Sequence, residues 1–307
     1  MISPLDLLTS DVLRYPLIIA VLIGLTAPVV GTYLVQKRLS LLGDGLGHVA
    51  LTGVAVGWLV GAWVQVSPND LLAIPGALAA SIVGALAIEY VREVGRTSRD
   101  VALAILFYGG IAGGVVIIQL AGGTSQNLMG YLFGSLSTVT RLDTVIALVL
   151  AVVVLAIGVG LSGLLAAVTA DDEFARAAGL PVRTVNVLIA VMAALTVTLS
   201  MRIVGALMVS ALMIVPVAAA QHLVVGFART MRTAMVIAVL CAVGGLVITV
   251  YVDLPPGGVI VLLTIAVYVA ALVVRSLLAA RRSRPAGGPG PTAADAAPVA
   301  ARGPSHR

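Results

Sequence analysis

Apolar runs of about twenty residues, the length needed to cross a bilayer, recur along almost the whole chain with only short polar breaks between them. A soluble globule of this size has nowhere to bury so much apolar surface. Composition agrees: 60% of the 307 residues are hydrophobic and 10% are charged, against about 25% charged in soluble domains. The chain therefore reads as an all-α, polytopic helical membrane protein with eight or nine spans. The spans fall near 13–35, 42–64, 71–91, 100–121, 143–166, 184–201, 204–225, 231–251 and 257–278. The pair around Arg202 is parted by only a short polar break. The apolar stretch after Arg14 is too long for a signal-peptide core and lacks a clear small-residue cleavage site, so it reads as the first span.

Arginine and lysine in short loops set the orientation. Lys37 and Arg38, then Arg92, Arg96 and Arg99, then Arg176 and Arg183, then Arg229 and Arg232, and finally Arg275, Arg281, Arg282 and Arg284 all fall on one side of a nine-span chain whose N-terminus is outside. Arg14 and Arg202 are exceptions. The formal charge of +5 is this positive-inside bias and does not point to nucleic acid. One cysteine, Cys241, lies in an apolar run and excludes an intrachain disulfide. Residues 1–280 read as the membrane domain and 281–307 as a disordered cytoplasmic tail, because a Pro, Gly, Ala and Arg mixture buries too little to offset ordering. His306 belongs to that tail and receives no role.

Ionisable groups within spans are costly, so each is a functional candidate. Asp44 and His48 open the second span four residues apart, on one helical face with Cβ atoms about 5–6 Å apart. A carboxylate and an imidazole at that spacing can share a divalent cation, the oxygen and nitrogen mix suiting Zn, Mn or Fe(II). Leu51 and Ala55 continue this face. Gly53, Gly57 and Gly61 begin a stripe on the opposite one, where small residues admit a close neighbour; the Asp/His side is then left to look into a cavity. The alternatives are a purely structural Asp–His hydrogen bond, or a helix start with Asp44 still at the interface. Two ligands hold a metal poorly, and a two-fold dimer would supply four. Glu89, Asp100, Asp143 and Asp253 lie near span ends, too few and too peripheral to favour ion coupling.

The segment 171–181 has three acids for a helix N-terminus, then Gly179 as a C-terminal cap and Pro181 as a stop. It reads as a helix of about two turns on the cytoplasmic side, with Phe174, Ala177, Ala178 and Leu180 as its apolar face. Such a helix suits a partner's groove or the lipid headgroups. The chain contains no phosphate-binding loop of the G-x-x-x-x-G-K-[ST] type, so any ATP must be bound by another chain.

Several blocks together resemble the membrane permease subunits of ATP-binding-cassette importers for zinc, manganese and iron. They are Arg38-Leu39-Ser40 through Gly43-Asp44 to His48, Gly130-Tyr131-Leu132-Phe133-Gly134, the run from Val204 to Pro216 that contains Ser210 and Met213, and Asp253-Leu254-Pro255 with Gly257. The resemblance spans 33–274. It implies a homodimeric pathway in the cytoplasmic membrane of a bacterium, each protomer seated on a cytoplasmic ATPase subunit. An extracytoplasmic metal-binding protein would deliver the ion. It also implies that Asp44 and His48 contact the ion in transit, with no permanently bound cofactor, and that 171–180 is the coupling helix. Asp172, Phe174, Ala175, Ala178 and Gly179 would meet the ATPase. The chain itself would not be an enzyme. Met201, Met208 and Met213 read as packing, and His222 as a structural or snorkelling histidine. The competing readings are a permease for a chelated cargo such as a siderophore, haem or cobalamin, and an ion-coupled metal carrier.

Overall fold

The computed structural model describes residues 11–65, 69–94, 98–122, 124–134, 139–201, 204–206, 208–252 and 254–282, and within these every regular element is helical. The chain runs through α1 (Asp11–Gln36), α2 (Leu41–Val64), a short 3-10 turn (Asn69–Leu72), α3 (Ala73–Val94) and α4 (Arg99–Leu120). It continues through α5 (Ser125–Phe133), α6 (Arg141–Gly160), α7 (Ser162–Ala170), α8 (Asp172–Ala177) and α9 (Val182–Ser200). The last helices are α10 (Val209–Leu223), α11 (Phe227–Val252) and α12 (Pro256–Arg282). The tail from 283 onward lies outside the described residues, as do Arg96, Arg202 and Asp253.

Eight helices are long and apolar enough to cross a bilayer: α1, α2, α3, α4, α6, α9, α11 and α12. The ninth passage, anticipated over 204–225, is shorter than that. Helix α10 has 15 residues and rises about 22 Å, less than the hydrocarbon core of about 30 Å. Val204, Gly205 and Ala206 ahead of it are buried but not helical. A second correction concerns 143–166. That passage breaks at Leu161, between the end of α6 and the start of α7, because Gly158, Gly160, Ser162 and Gly163 provide little to sustain a helix there. Asp143 caps rather than couples: its Oδ2 accepts from the Thr140 amide at 2.9 Å while the Thr140 hydroxyl oxygen accepts from the Asp143 amide at 3.2 Å, a capping box.

Helices α1, α2 and α9 are the most buried, whereas in α3, α4 and α12 fewer than a third of the residues are buried inside the chain. Helix α2 packs between α3 and α4, and α1 against α11 and α6. The glycine stripe of α2 does what its spacing implies. A Cβ at Gly53 would strike the Gly76 carbonyl, and one at Gly57 the Leu72 carbonyl, so the backbones of α2 and α3 touch. The other side of α2 is approached just as closely. A Cβ at Gly110 of α4 would meet the His48 carbonyl at 2.8 Å, and Gly113 and Gly114 lie against Thr52 and Leu51. Lipid offers no hydrogen bonds, and several buried hydroxyls bond backward along their own helices. Thr32 donates to the Pro28 carbonyl at 2.7 Å, Thr198 to Ala194 at 3.0 Å, and Ser200 to Thr196 at 2.8 Å.

Three of the sequence blocks meet at one junction. The Ala206 amide donates to the Tyr131 carbonyl at 2.9 Å. Gly205, at φ +86°, faces the Leu132 carbonyl and the Gly134 amide, and Gly257 faces the carbonyls of Val204 and Phe133. The short helix α5 thus supplies a backbone partner that the interrupted stretch before α10 lacks, as buried non-helical backbone in a membrane requires.

A Gly205→Ala substitution combines a left-handed backbone, about 1–2 kcal/mol, with overpacking of about 1–3 kcal/mol. It should lower the Tm of the purified protein in detergent by several degrees. Gly160→Ala, where a Cβ meets nothing within 4 Å, should leave Tm unchanged or raise it.

Candidate functional site

Asp44 lies in the first turn of α2, and His48 one turn further on. Their side chains share a face: Asp44 Oδ1 is 4.0 Å from His48 Nε2. Two metal–ligand bonds of about 2.0–2.2 Å at a tetrahedral angle set their ligand atoms about 3.4 Å apart, so the pair must close by about half an ångström to share a cation. A cation can therefore sit between these atoms after side-chain rotation alone, without movement of the helix. The two groups are not equally accessible. Asp44 is 29% exposed at its side chain and His48 only 1%.

The expectation that this whole face looks into a cavity holds for Asp44 and not for the rest. His48, Leu51 and Ala55 are all buried. The physical reason is Gly110, which lets α4 press against α2 on that side too. Asp44 lines an open cleft of about 340 Å³ between α2 and α4, together with Leu41, Gly45, Leu103, Ala104, Phe107 and Tyr108. His48 sits just behind Phe107, whose ring meets the imidazole edge-on with centroids 4.2 Å apart. Neither ring nitrogen of His48 has a hydrogen-bond partner, although both are buried. An unsatisfied buried polar group costs about 1–3 kcal/mol, so this imidazole is retained at the expense of the fold. At 4.0 Å from Asp44 the ring is not hydrogen-bonded to it in this arrangement.

Asp44 has one partner that helical spacing did not reveal. The Ser210 hydroxyl donates to Asp44 Oδ1 at 3.2 Å. Ser210 is the second residue of α10, so the carboxylate lies beside the N-terminal end of that short helix, where amide dipoles favour negative charge. The serine is 166 residues away in sequence and no periodicity connects the two. Phe107 and Tyr108 were missed for the same reason. Among the described residues, no group of three or more His, Cys, Asp or Glu gathers to hold a metal.

The cytoplasmic segment forms helix α8 within the limits its sequence indicated. Asp171 Oδ1 accepts from the amides of Glu173 and Phe174, both at 2.9 Å. At the other end Gly179 is left-handed, at φ +75°. Its amide donates to the Arg176 carbonyl at 3.0 Å, and the Leu180 amide to Ala175 at 2.9 Å, a Schellman closure. Ala175 is buried against the bundle, while Phe174 is 72% exposed. Ala178 and Gly179 are exposed beside it. Asp172 forms an ion pair with Lys37 at 2.9 Å.

The remaining singled-out residues lie apart from Asp44 and His48 or serve packing. Met201 and Met213 are fully buried and Met208 partly so. His222 Nδ1 lies 2.8 Å from Arg275 Nη1, and its ring packs on Tyr268.

Residues 9–275 match the model of the ABC 3 transport family. A manganese transport system membrane protein of Halalkalibacterium halodurans is 30% identical over 87% of this chain and 88% of its own length. A high-affinity zinc uptake system membrane protein of Haemophilus influenzae is 27% identical over 87% of this chain and 99% of its own. Among solved structures, the PsaBC complex of Streptococcus pneumoniae with a Fab superimposes with a TM-score of 0.79 at 24% identity. It covers 90% of this chain and 98% of that one, a likeness of fold.

A buried imidazole without partners contributes little to stability. His48→Leu loses a ring contact worth about 0.5–1.5 kcal/mol but also removes the unsatisfied nitrogens, worth about 1–3 kcal/mol. Its Tm should be no lower than that of the unaltered protein; a drop of several degrees would reveal a structural bond at this ring.

Proposed function

The chain belongs to the ABC 3 transport family, and from that premise we propose that it is the permease subunit of an ATP-driven importer whose Asp44 and His48 contact divalent metal ions in transit. It is a multi-pass protein of the bacterial cytoplasmic membrane, and among the described residues eight helices are long and apolar enough to cross it. One observation carries the assignment of the ion route. A histidine buried to 1% with no hydrogen-bond partner lies one helical turn from a carboxylate open to a cleft. Such an imidazole is useful to a passing cation and of little use to the fold.

The relatives' names include manganese and zinc, and a carboxylate with an imidazole also suits Fe(II). Zn, Mn or Fe is therefore the cargo. Two ligands from one chain are an incomplete set, and a two-fold homodimer doubles them. Incompleteness also serves transport, because a site that binds too tightly does not release. Because α2 starts at the cytoplasmic Lys37–Arg38 turn, His48 lies one helical turn farther from the cytoplasm than Asp44, and an imported ion meets His48 before Asp44. Ser210 holds the empty carboxylate in place.

ATP hydrolysis belongs to a separate cytoplasmic subunit, a reading supported by membership of the ABC 3 transport family and by relatives named as the membrane proteins of their transport systems. Helix α8 is the docking element: Phe174, Ala178 and Gly179 face outward, Ala175 anchors the helix, and Asp172 ties it to the bundle. An extracytoplasmic metal-binding protein delivers the ion from the other side.

Asp44→Asn and His48→Gln should each lower metal uptake by more than about tenfold, since even outer partners of metal ligands are worth about 10–100-fold. Membrane insertion and Tm should be kept. Uptake of radioactive Mn or Zn into cells carrying all three components measures this, and near-normal uptake in both variants would remove the ion route. Phe174→Ala should abolish copurification with the ATPase subunit while leaving the membrane fold intact.

A further inference from the structure

Lys37 is the residue that joins the docking helix to the metal-binding helix, and no role in transport has been derived for it above. It ends α1 in a Schellman closure. The Leu39 amide donates to the Leu34 carbonyl at 2.8 Å and the Arg38 amide to Val35 at 3.1 Å. The position after Lys37 is left-handed, at φ +57°, and is occupied by Arg38 rather than the usual glycine. This tight turn directs the lysine side chain inward, where it is only 6% exposed. Its ammonium donates to Asp172 Oδ1 of α8 at 2.9 Å and also to Asn186 Oδ1 of α9. Three parts of the molecule therefore meet on one charge: the α1–α2 turn, α8 and α9.

The two sides of this contact differ in how firmly they are held. Helix α1 is locked near its end by Tyr33, which is fully buried and donates to the Gly158 carbonyl. Helix α8 has six residues, and Ala175 is the only one that is fully buried. Beyond Lys37 the chain enters α2 at Leu41, and Asp44 is reached within one helical turn. A small cavity of about 30 Å³ adjoins the contact, lined in part by Lys37, Leu39, Leu42, Glu89 and Asn186. That is room for one water molecule, at the base of α2.

We propose that Lys37 is the positioning residue that transmits movement of α8 to the base of α2, and thereby ties access to Asp44 to the state of the ATPase. The inference rests on the reading of α8 as the ATPase docking helix. Lys37 touches neither ATP nor the metal. A buried ammonium with two acceptors on different helices can follow either one, and salt screens it weakly. Every displacement of Asp172 is passed to the turn that carries Leu39 and, one helical turn on, the metal-binding carboxylate.

The test uses the complete complex in liposomes, with its ATPase subunit and the metal-loaded binding protein, and reads Mn taken up per ATP hydrolysed. In Lys37→Gln, ATP hydrolysis should continue while Mn per ATP falls at least about fivefold, the lower end of typical coupling between sites. Lys37→Arg should lie between the two. The exchanged pair, Lys37→Asp with Asp172→Lys, should recover most of the ratio, which restoration of simple packing would not do. If Lys37→Gln does not assemble, Asp172→Asn removes the same pair from its more exposed side and should lower the ratio likewise. An unchanged ratio in these variants, beside an unaltered complex whose uptake needs ATP, would overturn the role of Lys37 alone. Uptake by the unaltered complex that ignores ATP would overturn the functional reading beneath it.

Discussion

Helices in a bilayer gain little from apolar contact with one another, because lipid tails are as apolar as leucine. What holds α2 is therefore how closely its backbone can be approached. Gly53 and Gly57 admit the carbonyl-bearing backbone of α3 on one side, and Gly110 of α4 brings that helix against the His48 carbonyl on the other. Gripped from both sides between His48 and Gly57, α2 presents its one-turn Asp44/His48 spacing in a defined direction. The burial of His48 follows from the same grip, since α4 closes over it and sets Phe107 against its ring.

The second constraint is the backbone itself. Where α9 ends at Ser200 and α10 has yet to begin, the amide and carbonyl groups need partners that lipid does not provide. They find one in α5, through Tyr131 and Ala206, and glycines at 205 and 257 make the close approach possible. The late start of α10 has a further result. Its N-terminal end, with Ser210, comes to lie beside Asp44 rather than at the membrane surface. The break in the helix and the placement of the carboxylate are thus one feature.

Much of this was legible from residue types. Span lengths follow from hydropathy, the α8 helix from Asp171 and Gly179, and the Gly53/Gly57 contact from its four-residue spacing. Local rules govern all of these, since each concerns residues within a turn or two of one another. Two boundaries were not legible. The break at Leu161 lies inside an uninterrupted apolar run, and hydropathy does not distinguish one helix from two collinear ones. The interruption at 204–206 looks apolar throughout, so only the left-handed Gly205 betrays it. The loop at Lys37 and Arg38 was marked by its charges, but its left-handed closure was hidden, because an arginine occupies the position that usually takes glycine.

By itself the sequence determined that this is a helical membrane protein, that its ionisable residues within the spans are few, and that Asp44 and His48 share a helical face. Those conclusions need only the bilayer's thickness and the 3.6-residue helical repeat. Tertiary structure alone decided which side of that face is open. It turned Asp44 toward a cleft, sealed His48 behind Phe107 without a partner, and brought Ser210 to Asp44 and Asp172 to Lys37. These contacts join residues from 59 to 166 positions apart. They are set by how glycine surfaces allow whole helices to meet, and no local pattern in the chain encodes that distance.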